Sequence, residues 1–212
     1  FSMSLADLRH VYDKDILLES QINPNPFEQF KVWFDRAREE GGLEPNAMTV
    51  STVNAQGQPS SRTCLLKGVE QDNFIFFTNY ESHKGHDLAA NPNISLLFFW
   101  MVQQRQVHIN GHVEKLSEAD SIAYFNSRPL GSRIGAWASR QSQKITREEL
   151  EQRYADIQAQ YGDEVPKPPH WGGYRVIPRS IEFWQGRPSR LHDRIIFTLN
   201  AEGQWVFTRL SP

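Results

Sequence analysis

The spacing of hydrophobic and polar positions changes period along the chain. After a polar opening stretch that carries Arg9 and Tyr12, Asn23-Pro24-Asn25-Pro26 punctuates the sequence, and Phe27, Phe30, Phe34 and Ala37 then recur at steps of three and four. Those steps place the four on one face of a core-packing helix, with Asn25 as cap, Pro26 in its first turn and Gly41-Gly42 at its end. From Met48 the chain breaks into short β-rich runs, over 48–53, 58–67, 73–78, 93–101 and 105–116. Asn54-Ala55-Gln56-Gly57 and Glu70-Gln71-Asp72-Asn73 are too short for the crossover that parallel strands require, so the runs predict an antiparallel meander. One short helix interrupts it, from Ser82 to near Ala90, and Asn91-Pro92 stops it.

Two capping-box patterns, Ser117-Glu118-Ala119-Asp120 and Thr146-Arg147-Glu148-Glu149, open two more helices, the second charged enough to lie on the surface. A Pro-rich connector over 165–169 leads to Gly172-Gly173 and to four last strands, over 174–177, 180–185, 194–199 and 205–210. Many short strands and few helices predict a mainly β, α+β chain with flanking helices around a small barrel. No repeat or low-complexity tract marks a second domain, and 212 residues, 39% of them hydrophobic, suffice for one sizeable core.

Composition then narrows the partners. A net charge of -2 gives no basis for binding nucleic acid or an anionic membrane, so an anionic ligand has to be caught locally. Cys64 is the only cysteine; no intrachain disulfide can form, which favours a reducing compartment. The longest apolar runs, such as 94–102, fall short of the roughly eighteen residues that span a bilayer. The start of the chain lacks a signal pattern, so a cytoplasmic protein is expected, with Phe1-Ser2 ahead of Met3 set aside as extraneous to the fold.

Among chemical motifs, the glycine-rich nucleotide loops, H-E-x-x-H and G-x-S-x-G are absent from the sequence. His108 and His112 on one strand would stand roughly 13 Å apart, too far to share an ion, and no metal is expected. Arg190-Leu191-His192-Asp193-Arg194, if extended, sets Arg190, His192 and Arg194 on one face: a cationic strip beside a titratable group, or a solvated charged face. Phe183-Trp184-Gln185-Gly186 just upstream adds an aromatic wall and a tight turn, which suits a flat heteroaromatic ligand. Arg62 and Lys67 bracket an apolar strand at an odd spacing, on opposite faces unless a bulge intervenes. Ser82-His83-Lys84 opens the short helix, where free N–H groups favour a phosphate. Tyr124, Arg128 and Ser132 offer a phenol, a guanidinium and a hydroxyl at a helix end; Arg128 could equally serve the helix dipole alone.

Taken as a set, Ile181-Glu182-Phe183-Trp184-Gln185-Gly186 followed by Arg190-Leu191-His192-Asp193-Arg194 resembles the signature of the pyridoxine 5'-phosphate oxidase family, a long and specific motif. Leu8-Arg9 with Tyr12, the stretch 62–67, Arg105-Gln106-Val107, Ser127-Arg128-Pro129, Ile134-Gly135-Ala136-Trp137, Gln141-Ser142, Trp171-Gly172-Gly173 and Arg209-Leu210 match in the same order. The resemblance therefore covers nearly the whole chain.

It implies a split β-barrel domain over 26–212 behind a mobile segment over 1–25, and a homodimer with two FMN sites at the subunit interface. The implied reaction is oxidation of pyridoxine 5'-phosphate and pyridoxamine 5'-phosphate to pyridoxal 5'-phosphate, with O2 as acceptor giving H2O2 and with ammonia released from the amine. FMN is expected at Arg62, Lys67, Thr78, Lys84, Gln106, Gln141, Ser142, Trp184 and Arg194, with the backbone of Cys64, Leu65 and Leu66 and with Phe77 and His83 beside them. The substrate phosphate is expected at Lys67, Tyr124, Arg128 and Ser132. Arg9 and Tyr12 are expected to close over the site. Arg190 and His192 are the expected catalytic pair, orienting the substrate and assisting loss of its proton; Arg194 is expected to favour the anionic reduced flavin. The chain departs from the family pattern at His83, in place of Arg, at Phe77, in place of Tyr, and at Glu44, in place of Asp. Two other readings stand beside this one: a split-barrel flavoprotein with a different substrate, and a non-catalytic carrier of FMN or pyridoxal 5'-phosphate. A substrate without a phosphate would not need Tyr124, Arg128 and Ser132.

Overall fold

The computed structural model describes residues 4–212, and the reading of Phe1-Ser2 lies outside the described residues. In chain order the elements are α1 (Pro26–Glu39), β1 (Ala47–Val53), β2 (Pro59–Leu65), β3 (Gly68–Glu70), β4 (Asn73–Asn79), α2 (His83–Ala90), β5 (Asn93–Trp100), β6 (Arg105–Lys115), α3 (Glu118–Ser127), α4 (Leu130–Ala138), α5 (Arg147–Tyr161), β7 (Trp171–Gln185), β8 (Asp193–Leu199) and β9 (Trp205–Leu210). The strands join in the order β2-β1-β5-β6-β7-β4-β3, with β8 on β7 and β9 on β8. This corrects the simple meander. Hairpins survive where links are tight, as at Gln71 and Asp72, whose φ values of 49° and 62° suit a primed turn. The longer connections, through α2 and through α3 to α5, free β4 and β7 to pair out of sequence order.

The chain divides into two compact units, one of the described residues through Thr49 with 96–110 and 179–212, the other of 50–95 and 111–178. In the first unit, Asn25 caps α1 by accepting from the N–H groups of Phe27 and Glu28. The buried stripe of α1 is Phe27, Phe30, Trp33 and Ala37, so Trp33 takes the place expected for Phe34, which is half-buried. A true 3.6-residue period passes between the two positions. Phe30 meets Phe98 edge-on at 5.2 Å, Trp33 meets Phe183 at 5.3 Å, and Phe183 meets Phe197 at 5.7 Å. Such edge-to-face pairs add to the area burial and fix the rings' relative orientation.

The second unit packs Phe125, Ile134, Val165 and Trp171 into one cluster. Its helix α4 was not foreseen: Pro129 stands at the cap position without a side-chain cap bond, and Gly131 and Gly135 weaken the helical signal. The Thr146–Glu149 capping box of α5 is formed in both directions, and α5 buries no residue, as its charge predicted. The predicted break at Pro178 is absent, because β7 runs unbroken from Trp171 to Gln185. Gly111 makes this possible. A Cβ there would stand 2.2 Å from the carbonyl oxygen of Ile177 and 3.0 Å from Cα of Pro178. Gly111→Ala is expected to cost at least about 2 kcal/mol by overpacking against backbone, lowering the melting temperature by about 4–8 °C in calorimetry.

Candidate functional site

The second unit encloses a cavity of about 870 Å3, in the size range of small-molecule sites. Arg62, Cys64, Leu65 and Lys67 line it, with Phe77 and Thr78 of β4, Lys84 of α2, Tyr124 of α3, Arg128 and Ser132 at the start of α4, Gln141 and Trp171. Arg62 and Lys67 share this wall despite their odd spacing. The strand stops at Leu65, and the N–H of Lys67 donates to Ile75 O at 2.8 Å as β3 begins. Leu66 is buried and, like His83 and Ser142, is not part of the wall.

The cavity's charges are unbalanced. Lys84 is only 5% exposed, and its Nζ donates to Thr78 Oγ1 at 2.8 Å and to Ser82 Oγ and Gln141 Oε1 at 3.4 Å, all neutral acceptors. Burial, helped by the charge of Arg62, lowers its pKa. Arg128 has its pKa lowered by burial too; its guanidinium lies 4.8 Å over the Trp171 ring, and its Nη1 is buried with no hydrogen-bond partner. Arg62 Nη1 donates to Thr52 Oγ1 at 2.6 Å, and the carboxylate of Asp87 approaches its Nη2 only to 3.9 Å. A buried cation left without an anion is costly, so the arrangement favours a ligand that brings negative charge.

The aromatic part of the wall is flat. Phe77 stacks on Tyr124 at 3.9 Å and on Trp171 at 5.3 Å, with interplanar angles of 17° and 12°. Two helix starts border the cavity. Ser82 caps α2 through Gly85 N, and Ser132 lies in the first turn of α4, its own N–H donating to Pro129 O at 3.0 Å. His83 donates its backbone N–H to Ser142 Oγ at 3.1 Å, while its exposed ring lies 3.6 Å from Asp87 Oδ2. Burial pushes the Cys64 thiol up, which makes it wall rather than nucleophile.

The remaining candidates belong to the first unit, and they correct the extended Arg-x-His-x-Arg reading. Pro188–Arg190 forms a 3-10 turn, Ser189 and Arg190 take φ values of 58° and 59°, and β8 begins only at Asp193. Arg190, His192 and Arg194 therefore do not share a strand face. His192 instead folds back onto Trp184, ring centroids 4.6 Å apart, with Tyr12 edge-on to both at 5.9 and 6.1 Å. The backbone N–H of Arg187 donates to His192 Nδ1 at 2.9 Å. Burial, with Arg190 adding to it, holds the His192 pKa below its ordinary value. The Arg190 guanidinium is exposed and engaged by no hydrogen bond or ion pair among the described residues. Arg194 is bidentate to Glu182, at 3.0 and 2.8 Å, which raises its pKa and offsets its charge. Gln106 is half-buried in β6, and Arg9 is exposed, its Nε on Ala6 O.

The loop from Gly186 to His192 is anchored at both ends by side chains whose holding role the sequence did not reveal. Gln185 accepts from Arg105 Nε at 2.7 Å and donates to the carbonyls of Gln103 and Gln104, and Gly186 N donates to Gln104 O. At the other end Asp193 accepts from Leu17 N, Arg187 Nη1 and Arg209 Nη1. Gln185, Gly186 and Asp193 stand in the signature motif, while Arg105 and Arg209 carried a signal only as family matches. Trp171, under Arg128, was likewise quoted only for the match. A Cβ on Gly186 would meet Tyr12 Cβ at 2.9 Å and Gln104 O at 3.2 Å. Gly186→Ala is expected to displace Tyr12 from His192 and lower kcat/KM about 10- to 100-fold in steady-state assays, with a melting temperature close to that of the parent.

Residues 34–161 match the family model described as pyridoxamine 5'-phosphate oxidase, and residues 171–212 match the pyridoxine 5'-phosphate oxidase C-terminal dimerisation region. A pyridoxine/pyridoxamine 5'-phosphate oxidase of Bordetella petrii is 59% identical over 210 residues, covering 99% of this chain and 100% of the relative. One of Cupriavidus necator is 56% identical over 209 residues, covering 98% and 99%. Among solved structures, PhzG of Burkholderia lata, in complex with tetrahydrophenazine-1-carboxylic acid, superposes with a TM-score of 0.87 at 29% identity, covering 93% of this chain and 98% of that one. A pyridoxamine 5'-phosphate oxidase-related, FMN binding protein of Nostoc punctiforme gives a TM-score of 0.73 at 15% identity, covering 90% and 100%, and shows the shared fold. The mainly β, helix-flanked fold of the split-barrel class is thus borne out, and the chain belongs to the pyridoxine/pyridoxamine 5'-phosphate oxidase family.

Proposed function

We propose that the protein oxidises pyridoxine 5'-phosphate and pyridoxamine 5'-phosphate to pyridoxal 5'-phosphate with FMN as cofactor. O2 is the final acceptor and gives H2O2, ammonia leaves from the amine, and the enzyme works as a cytoplasmic homodimer. The observation that carries this reading is the cavity with two buried cations, Lys84 and Arg128, that no carboxylate among the described residues pairs, above all the unpartnered Nη1 of Arg128. Two phosphates, one on the cofactor and one on the substrate, supply the missing charge. The residues present fit FMN. Arg62 and Lys84, with the start of α2 and Gln141, suit its phosphate, and the volume of about 870 Å3 leaves room for a second flat ligand. The relatives' names support the substrates, and the match to a dimerisation region supports the dimer.

When bound, FMN supplies a hydride acceptor. The protein's part is positional. Lys67, Tyr124, Arg128 and Ser132 take the substrate phosphate, with the Arg128 guanidinium resting on the Trp171 ring. Trp184, Arg190 and His192 are proposed to meet the substrate from the partner subunit, orienting the carbon to be oxidised. Arg194 is paired with Glu182, so it would bring little net positive charge to a flavin held there.

Anaerobic addition of pyridoxine 5'-phosphate to the FMN-loaded protein is expected to bleach the oxidised-flavin absorbance, with recovery and pyridoxal 5'-phosphate on admitting oxygen. An unchanged spectrum with saturating ligand would instead favour the carrier, or an oxidase of another substrate. Arg128→Ala is expected to raise KM for pyridoxine 5'-phosphate about 10- to 100-fold, the loss of one or two charge-assisted hydrogen bonds.

A further inference from the structure

His192 carries the proton question, because its ring nitrogens differ in what they face. A backbone N–H can only donate, so the 2.9 Å bond from Arg187 N requires a lone pair on Nδ1 of His192. A neutral imidazole with a lone pair on Nδ1 carries its proton on Nε2. The loop that supplies the N–H is fixed at Gly186 by Gln104 O and at Asp193 by Leu17 N and Arg209, so the donor cannot withdraw without breaking those bonds. Gaining a second proton would put an N–H on Nδ1 against the N–H of Arg187. The groups around the ring work the same way: Tyr12 and Trp184 desolvate it, Arg190 is a neighbouring cation, and the nearby carboxylate of Asp193 is already engaged by Leu17, Arg187 and Arg209.

We infer that His192 is held by the Arg187 backbone as the neutral Nε2–H tautomer and acts toward the substrate as a hydrogen-bond donor, not as the base that takes its proton. This rests on the proposed oxidase reading for what the ring faces, and it replaces the expectation that His192 assists proton loss. Arg190 also offers only donors. The pair therefore selects a reacting group that presents a lone pair, an alcohol oxygen or an unprotonated amine, and rejects an ammonium. The proton released on oxidation goes to solvent rather than to this ring.

The tautomer is read directly by 15N NMR of the FMN-loaded protein labelled at histidine, at pH 7.5 and without substrate, with His192→Gln used to assign the signal. The expected spectrum has a protonated, pyrrole-like Nε2 and an unprotonated, pyridine-like Nδ1. A proton on Nδ1, or on both nitrogens, overturns the inference whatever the enzyme oxidises. Function is read from the rate of anaerobic flavin reduction by pyridoxine 5'-phosphate. A glutamine amide can place an N–H near the position of Nε2 and cannot serve as a base, whereas an asparagine amide reaches only as far as Nδ1. His192→Gln is expected to keep at least about a tenth of the parent rate, while His192→Asn and His192→Ala fall about 100-fold or more, the usual size of a lost acid–base or donor contribution. Loss of the glutamine variant to the level of the alanine variant would mean that His192 is the base. Absence of flavin reduction in the parent would overturn the oxidase reading and leave the tautomer result standing.

Discussion

Buried positive charge without a matching anion is the constraint on which the site depends. Lys84 is surrounded by a threonine, a serine and a glutamine, and Arg128 is pressed onto Trp171 with one nitrogen unpartnered. Neither arrangement stabilises the fold by itself, since desolvating a cation costs several kcal/mol unless a counter-charge offsets it. The outlay makes sense where a phosphate completes each cluster. The net charge of the chain, -2, gives no hint of this, because the cations are concentrated by topology and not by composition. Two helix starts, a strand that breaks at Leu65 and a stacked aromatic wall bring them to one cavity.

The first unit solves a different problem, that of holding the Gly186–His192 loop still. Two consecutive residues in left-handed conformation, Ser189 and Arg190, cost energy for side chains with a Cβ. Bonds at both ends of the loop sustain that conformation. Gln185 and Gly186 are fastened to Gln103, Gln104 and Arg105, and Asp193 gathers Leu17, Arg187 and Arg209. Arg209 in turn grips Glu19 at 2.6 and 2.9 Å, which ties the last strand to the N-terminal segment. The outcome is an Arg190 guanidinium left free and a His192 ring with one nitrogen already spoken for.

What could be read in the sequence was what depends on local chemistry. Asn25 and Thr146 announced their helices because capping is a matter of a few consecutive residues. Tyr124, Arg128 and Ser132 were legible as a candidate anion-binding trio, and they line one cavity. Tertiary effects were not legible. Lys67 joins Arg62 only because the strand ends between them, Trp33 replaces Phe34 because packing selects the stripe, and Pro178 stays in a strand because Gly111 makes room. The Arg190–Arg194 stretch shows both sides. Its residue types made it a candidate, while its extended geometry was wrong, since nothing in the sequence required left-handed backbone at Ser189 and Arg190.

The central claim, that the cavity exists to neutralise its cations with phosphate, is tested most directly by calorimetric titration of the cofactor-free protein with FMN and with riboflavin in parallel. The two differ by the phosphate alone. Two charge-assisted bonds of about 2 kcal/mol each predict that FMN binds about 1,000-fold more tightly, whereas equal affinities would show that the buried cations do not serve a phosphate.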